Sequence, residues 1–277
     1  MRPDGPGTSR GQNKAPRCLT DLSQTEGSYP QGDVPRVAGM PNPVPALDAA
    51  QAVRWLSAPR YRRYLRVAAD DHTLAMETYM WNSRVAAAGI VDVGHLEIAI
   101  RNAYDRELSR RYPEWAVDPQ SALFQLEQGV QRARAQQHRR NQASLARLSD
   151  AKRGLSSRPT HAEVVAALTF GFWSTLTVGE RAPTIWNPIL HRAFPKGTGR
   201  ARVHGLVTSV VKFRNRLAHN EPVFSTRTGL ENRLAEVRVL FELIDPDAYF
   251  YVAGHSTLGA ALDSCPISGL TSATGID

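Results

Sequence analysis

Apolar side chains recur every three or four residues along most of this chain, from about residue 46 to residue 252. That spacing places them on one face of an α-helix, whereas a strand would alternate apolar and polar residues. It predicts helices over 46–57, 59–69, 71–88, 95–111, 122–152, 160–168, 183–193, 200–220, 227–243 and 246–252. We find no convincing alternating segment and no repeat of fixed period. The predicted fold class is therefore all-α.

The two ends of the chain differ in composition from the part between them. The first 45 residues carry eight prolines and six glycines with almost no apolar periodicity, and the last residues are rich in Gly, Ser and Thr. Such segments do not bury enough apolar surface to fold. We therefore predict a disordered extension at 1–45, a helical domain at 46–252 and a flexible tail at 253–277. Met40 precedes the first helical pattern, which suggests that residues 1–39 are dispensable for folding.

The same composition disfavours several protein classes. The early basic residues are not followed by the apolar core of a signal peptide, and no apolar run approaches the length of a membrane span. We therefore expect a cytoplasmic protein that makes no membrane contact. The two cysteines, Cys18 and Cys265, lie one near each end, which supports neither a disulfide framework nor a zinc site. We expect no cofactor and no metal.

Arginine, asparagine and histidine come together in a short segment that ends the predicted helix over 200–220. At about 100° per residue, Asn215 and His219 share one face of that helix, away from the apolar stripe, and Arg214 lies between that face and the stripe. Cleavage of RNA by its own 2′-hydroxyl requires proton transfer and cationic groups on the phosphate. We assign the first task to His219, the second to Arg214, and an orienting role to Asn215. The alternative is a capping group that binds the terminal carbonyls.

Four segments together point to a known family, and they lie at 56–65, 96–104, 169–176 and 214–224. In that order along the chain they resemble the signatures of the Abi-like (abortive infection) branch of the HEPN superfamily, and the resemblance covers roughly residues 50 to 250. It implies a HEPN-like helical bundle, usually a homodimer, in which Arg214, Asn215 and His219 occupy the catalytic positions. The implied activity is metal-independent endoribonuclease cleavage by a toxin or phage-defence effector, with an antitoxin or regulatory protein as a possible partner. Some members bind RNA or nucleotide without cleaving it, which is the alternative function.

A second polar group lies on the predicted helix over 95–111. Glu97 and Arg101 are four residues apart and Asn102 follows, so the simplest interpretation is an ion pair that stabilises the helix. The resemblance instead implies that these three residues lie near the catalytic cleft and support it. The sequence leaves both interpretations open.

The chain has a net charge of +8 and a pI near 9.9, which indicates a polyanionic partner such as RNA. The strongest local excess of positive charge lies on the long helix predicted over 122–152, an insertion relative to the rest of the bundle. Its candidate RNA-binding residues are Arg132, Arg134, Arg139 and Arg140. The alternative is a solvated, loosely packed helix without a specific ligand.

Two further segments have a functional and a structural interpretation. The aromatic residues at 170–173 could stack on unpaired bases, but we favour a place in the core. The glycines and cations at 195–200 resemble a phosphate-binding turn, but their spacing is not that of a P-loop, and we favour an ordinary turn.

Overall fold

The longest element of this all-helical protein is a continuous helix of 38 residues, His72–Ser109. The computed structural model describes residues 46–224 and 229–271, so the extension predicted over 1–45 lies outside the described residues. Contacts within the chain define two units, Met1–Leu47 and Asp48–Asp277, and the architecture below is that of the second. None of the helices in the described ranges combines the length and apolar character of a bilayer-spanning segment.

The described ranges contain helices and no strand, which confirms the all-α prediction. The α-helices are α1 Ala49–Leu56, α2 Ala58–Val67, α3 His72–Ser109, α4 Gln131–Arg153, α5 His161–Ala167, α6 Phe170–Ser174, α7 Arg200–Ala218, α8 Gly229–Ile244, α9 Pro246–His255 and α10 Leu258–Asp263. Helix α3 packs against α2, α7, α8 and α10, and therefore runs along the centre of the bundle.

The sequence predicted two helices, 71–88 and 95–111, where the structure has the single helix α3. Gly89 and Gly94 lie between the two predicted segments, and a glycine in a helix interior costs about 1 kcal/mol relative to alanine. Packing outweighs that cost, because the missing side chain of Gly89 lets α7 approach closely. A Cβ atom at Gly89 would lie 3.2 Å from Leu217 Cδ1.

Two other predicted helices are wrong in extent or type. The segment predicted over 122–152 forms a short 3₁₀ turn, Ala122–Phe124, and then α4, which begins only at Gln131. Gly129 separates them with a φ of +91°, a conformation that suits glycine. The segment predicted over 183–193 forms a π turn at Ala182–Trp186 and a 3₁₀ turn at Leu190–Ala193. Pro188, which has no N–H group to donate, lies between these turns.

The flexible tail predicted from residue 253 is wrong for the residues that the structure describes. Helix α9 extends to His255, and α10 follows and packs against α3. The Trp81 indole Nε1 donates a hydrogen bond to the Ala261 carbonyl at 2.9 Å, and Leu270 is buried. Apolar residues spaced among the glycines and serines give this segment its contacts. Residues 272–277 lie outside the described residues.

The aromatic residues of α6 belong to the core, as we predicted from their composition. Phe172 and Trp173 are almost fully buried, and Trp115 stacks on Phe172 with ring centroids 6.1 Å apart. These rings are covered by protein and are not a surface on which bases could stack. Helix α6 therefore positions its backbone, and not its rings, beside the candidate site described next.

Candidate functional site

The end of α7 is a tight C-terminal cap that sets the position of His219. The helix ends at Ala218, so His219 is the capping residue and lies just beyond the last turn in which the sequence placed it. Asn220 follows in the left-handed conformation with a φ of +49°. The Asn220 N–H donates to the Leu217 carbonyl at 3.0 Å, and the Glu221 N–H donates to the Arg216 carbonyl at 2.9 Å. This pair of bonds is a Schellman motif.

The side chains of Asn215 and His219 are both exposed, as their spacing on the helix predicts. The described hydrogen bonds of His219 are made by its backbone. Its N–H donates to the Asn215 carbonyl at 3.0 Å, and its carbonyl accepts from Arg60 Nη2 at 3.2 Å. Arg60 on α2 therefore binds the end of α7 and leaves the His219 imidazole directed toward solvent, where it is available for proton transfer.

A buried amide on α3 fixes the chain that leaves this cap. Asn82 is fully buried, and its Nδ2 donates to Asn220 Oδ1 at 3.1 Å and to the Glu221 carbonyl at 3.3 Å. Its Oδ1 accepts from the Val223 N–H at 2.8 Å. Asn220 Nδ2 also donates to Ser83 Oγ at 3.0 Å. The cap that carries His219 is thus tied to the central helix through side chains that sequence reasoning missed.

The sequence contains signals for Asn82 and Asn220, but these signals do not identify the two residues as hydrogen-bond partners. An asparagine directly after a helix favours the left-handed conformation, which identifies Asn220. Asn82 occupies a core position in an apolar stretch of α3, and a buried amide needs partners. Those partners lie 138 to 141 residues away, so no local pattern connects them.

Arg214 lies next to Glu97, which the sequence assigned to the same site. Arg214 Nε lies 3.9 Å from Glu97 Oε2, and both side chains are partly exposed. Burial raises the pKa of the Glu97 carboxyl, and the Arg214 guanidinium, the Phe170 backbone N–H and Arg101 counteract part of that rise. Glu97 therefore lies next to Arg214 and not in contact with His219, and its supporting role in a catalytic cleft stays a prediction.

The ion pair that the sequence suggested between Glu97 and Arg101 is not the pair that forms. Among the residues that the structure describes, the ion pair of Glu97 is with Arg214 on α7. Arg101 Nε instead donates to Asn102 Oδ1 at 3.3 Å. Arg101 and Asn102 therefore lie about one helical turn after Glu97 on α3, and Glu97 connects that helix to Arg214.

The four arginines predicted to bind RNA lie apart from this site, on the N-terminal half of α4. Arg132, Arg134 and Arg139 are exposed, and Arg140 forms an ion pair with Glu180 at 3.3 Å. Helix α4 contacts α6 through Arg147, whose Nη1 donates to the Gly171 carbonyl at 3.3 Å. At 1.5 Å per residue, the predicted arginines lie about 10 to 22 Å from Arg147 along the helix.

A buried arginine connects α4 to the bundle. Arg181 is 1% exposed, lies over the Phe124 ring, and donates from Nη2 to the Arg140 carbonyl and to Ser144 Oγ, both at 2.7 Å. Burial, together with the nearby Arg140 and Arg147, lowers the pKa of Arg181 to about 10. The alternative of a loosely packed helix is therefore wrong for this face of α4, which is held by specific polar contacts.

Within residues 46–224 and 229–271, no three His, Cys, Asp or Glu side chains are grouped as metal ligands. Comparison with known proteins adds no relative, since no family model, curated protein or solved structure matches the chain. The function is therefore argued from the side chains of the site and from the resemblance of the four segments.

Proposed function

We propose that this protein is a metal-independent endoribonuclease of the HEPN type, acting as a toxin or abortive-infection effector. The observation that carries the proposal is the end of α7, where exposed Asn215 and His219 stand beside the partly exposed Arg214. The resemblance of the four segments to Abi-like signatures supports it, because the same three residues fall at the family's catalytic positions. The surplus of positive charge suits an RNA substrate.

In the proposed reaction, the ribose 2′-hydroxyl attacks the adjacent phosphorus and the 5′-oxygen departs. Arg214 donates hydrogen bonds to the non-bridging oxygens, which carry increasing negative charge in the transition state. His219 transfers a proton, either from the attacking hydroxyl or to the departing oxygen. Glu97 positions Arg214 through their ion pair, and the cap tied to Asn82 limits the movement of His219.

Each chain contributes one imidazole to this site, whereas the reaction needs both a base and an acid. The resemblance implies a homodimer in which the same histidine of a second copy supplies the other proton-transfer group. The same observation favours the alternative function, a HEPN-fold module that binds RNA or nucleotide without cleaving it. A single exposed imidazole beside an arginine is sufficient to bind a phosphate.

Cleavage of total cellular RNA in EDTA by the purified full chain tests the proposal. We expect the parent protein to cleave and His219→Ala to lose at least about 100-fold in rate. His255→Ala is the matched control, because His255 is also an exposed histidine at the end of a helix. For the arginine, Arg214→Ala is compared with Arg202→Ala, an exposed arginine of the same helix.

The products identify the chemistry, because attack by the 2′-hydroxyl leaves a 2′,3′-cyclic phosphate and a free 5′-hydroxyl. Equal cleavage by the parent and by His219→Ala would mean that a contaminant is responsible. RNA binding that depends on Arg214, without cleavage by any variant, would establish the binding module in place of the nuclease.

A further inference from the structure

A cleft of about 380 Å³ lies between α4 and the segment that joins α5 to α6. One wall carries Arg147 and Asp150 of α4, and the other carries Leu168, Thr169 and Gly171. Charged groups therefore face an aliphatic side chain, a hydroxyl group and exposed backbone. The cleft lies toward the lower end of the size range of small-ligand pockets, which suits a single planar group better than a large ligand.

The cleft is connected to the candidate site through the backbone of one residue, Phe170. Thr169 and Gly171 line the cleft, and Phe170 between them interacts through its N–H with the Glu97 carboxylate. Glu97 in turn pairs with Arg214 at 3.9 Å. A nucleotide whose phosphate contacts Arg214 would therefore have a neighbouring nucleotide beside this cleft.

We propose that this cleft is a base-recognition subsite that binds guanine in the nucleotide next to the cleaved phosphate. The inference rests on the proposed function for its substrate, and it adds a sequence preference to that function. Guanine presents two acceptors, O6 and N7, that match an arginine, and two adjacent donors, N1–H and the 2-amino group, that match a carboxylate. Arg147 and Asp150 supply both kinds of partner in one cleft.

The contacts of the two side chains are compatible with this role. Arg147 donates one of its five N–H groups to the Gly171 carbonyl, which holds the guanidinium across the cleft. The Asp150 side chain is 61% exposed and its contact is an ion pair with Arg153 on the protein surface. Such exposed pairs contribute little to stability, so a guanine edge can replace Arg153 without a large loss.

The apolar lining of the cleft favours binding of a planar base over binding of a simple anion. Leu168 is buried in the wall, and Ala151 and Ala167 complete an apolar lining against which a ring can lie. The Thr169 side chain is exposed at the edge and offers a hydroxyl group to the sugar or the base. Adenine carries an amino donor at position 6 and an acceptor at N1, so it presents no pair of adjacent donors to Asp150 and places a donor where Arg147 needs the O6 acceptor.

Equilibrium binding of the four nucleoside 5′-monophosphates to the intact protein, measured by calorimetry, tests the subsite without relying on cleavage. We expect GMP to bind at least about 10-fold more tightly than AMP, CMP or UMP. Inosine monophosphate lacks only the 2-amino group, and we expect it to lose most of that preference. Comparison within one set of monophosphates cancels the non-specific attraction of phosphate to a basic protein.

Asp150→Asn is expected to reduce the preference for GMP over AMP at least about 10-fold, since the amide cannot accept both guanine donors. Asp263→Asn is the matched control, as it makes the same change at an exposed aspartate of α10 that does not line the cleft, and we expect it to keep the preference. Equal binding of GMP and AMP by the parent protein, or an unchanged preference in Asp150→Asn, would overturn the proposal.

Cleavage of oligonucleotides that differ in a single base separates this inference from the proposed function. Selective GMP binding without any cleavage would leave the subsite standing and refute the nuclease. Cleavage that depends on His219 but is indifferent to guanine, without selective GMP binding, would leave the nuclease standing and refute the subsite.

Discussion

The C-terminal end of α7 and the basic helix α4 are both rich in arginine, but the rest of the protein holds them by different forces. Helix α7 buries a continuous apolar stripe, namely Val203, Val207, Val210, Phe213 and Leu217. Helix α4 buries three polar side chains, Gln137, Asn141 and Ser144, and one apolar side chain, Leu148. The two helices therefore carry similar charges, but α7 is held by apolar packing and α4 mainly by polar contacts.

This difference predicts that the two helices are held in place with different strength. Burial of apolar side chains contributes about 1.5 to 3 kcal/mol each, so the position of α7 is strongly determined and its polar end can be left exposed. A typical buried hydrogen bond contributes only about 1 kcal/mol net. Helix α4 should therefore separate from the bundle at a lower free-energy cost than α7, which suits a region that docks a substrate.

The largest expected effect is on the support of the α7 end. Asn82→Ala removes three hydrogen bonds, leaving the buried Val223 N–H without its acceptor and the Glu221 carbonyl and Asn220 Oδ1 without their donor. We expect the free energy of unfolding to fall by about 3 kcal/mol, measured by urea denaturation. Asn102→Ala, an exposed asparagine of the same helix, should change it by less than about 0.5 kcal/mol. Equal effects would mean that the cap does not depend on Asn82.

A smaller effect is expected where α4 is anchored. Arg181→Met leaves the Arg140 carbonyl and Ser144 Oγ without their buried donor, and we expect a loss of about 2 kcal/mol. Adding Ser144→Ala to Arg181→Met should restore part of the lost stability, because the double variant no longer buries the Ser144 hydroxyl without a donor. Hydrogen exchange should increase in α4 and not in α7. An increase in both helices would show that the two regions unfold together, contrary to the comparison.

The pH dependence of stability tests the contact between Glu97 and Arg214. Burial raises the pKa of Glu97 in the folded state, so the folded protein binds the proton more tightly than the unfolded chain. The parent should therefore gain stability relative to Glu97→Gln as the pH falls from 7, and the gain should be complete below the ordinary carboxyl pKa. The opposite slope would mean that attraction to Arg214 outweighs burial.

The smallest effect on stability is expected for the exposed arginines of α4. Replacement of Arg132, Arg134 and Arg139 by glutamine should leave the free energy of unfolding unchanged, because all three are exposed. Arg140 is retained because it pairs with Glu180. If these residues contact single-stranded RNA, the slope of log affinity against log salt should fall by about 2. If replacement of Arg54, Arg192 and Lys196 by glutamine lowers this slope equally, the effect comes from the overall charge of the protein and not from contacts of α4.

Local patterns in the sequence were sufficient to predict the fold class and the part of the site that α7 contributes. Helical spacing depends on neighbouring residues, and it correctly predicted that Asn215 and His219 are exposed. The division of α3 at its glycines was wrong, because the contact of Gly89 with Leu217 joins residues far apart in the chain. The prediction of a flexible tail was wrong for a similar reason, since α10 is held by a hydrogen bond from Trp81, which lies far away in the chain.

The amino-acid order is enough to predict that the chain is helical, that α7 has an apolar face and a polar end, and that Arg214, Asn215 and His219 lie together at that end. These properties follow from the 3.6-residue period of the helix, which relates residues within one or two turns. Three other features emerge from contacts between distant segments: Glu97 pairs with Arg214, Asn82 holds the cap, and Arg181 anchors α4. Each of these depends on a buried polar group finding a distant partner, because leaving it unpaired away from water costs more free energy than the hydrogen bond itself contributes.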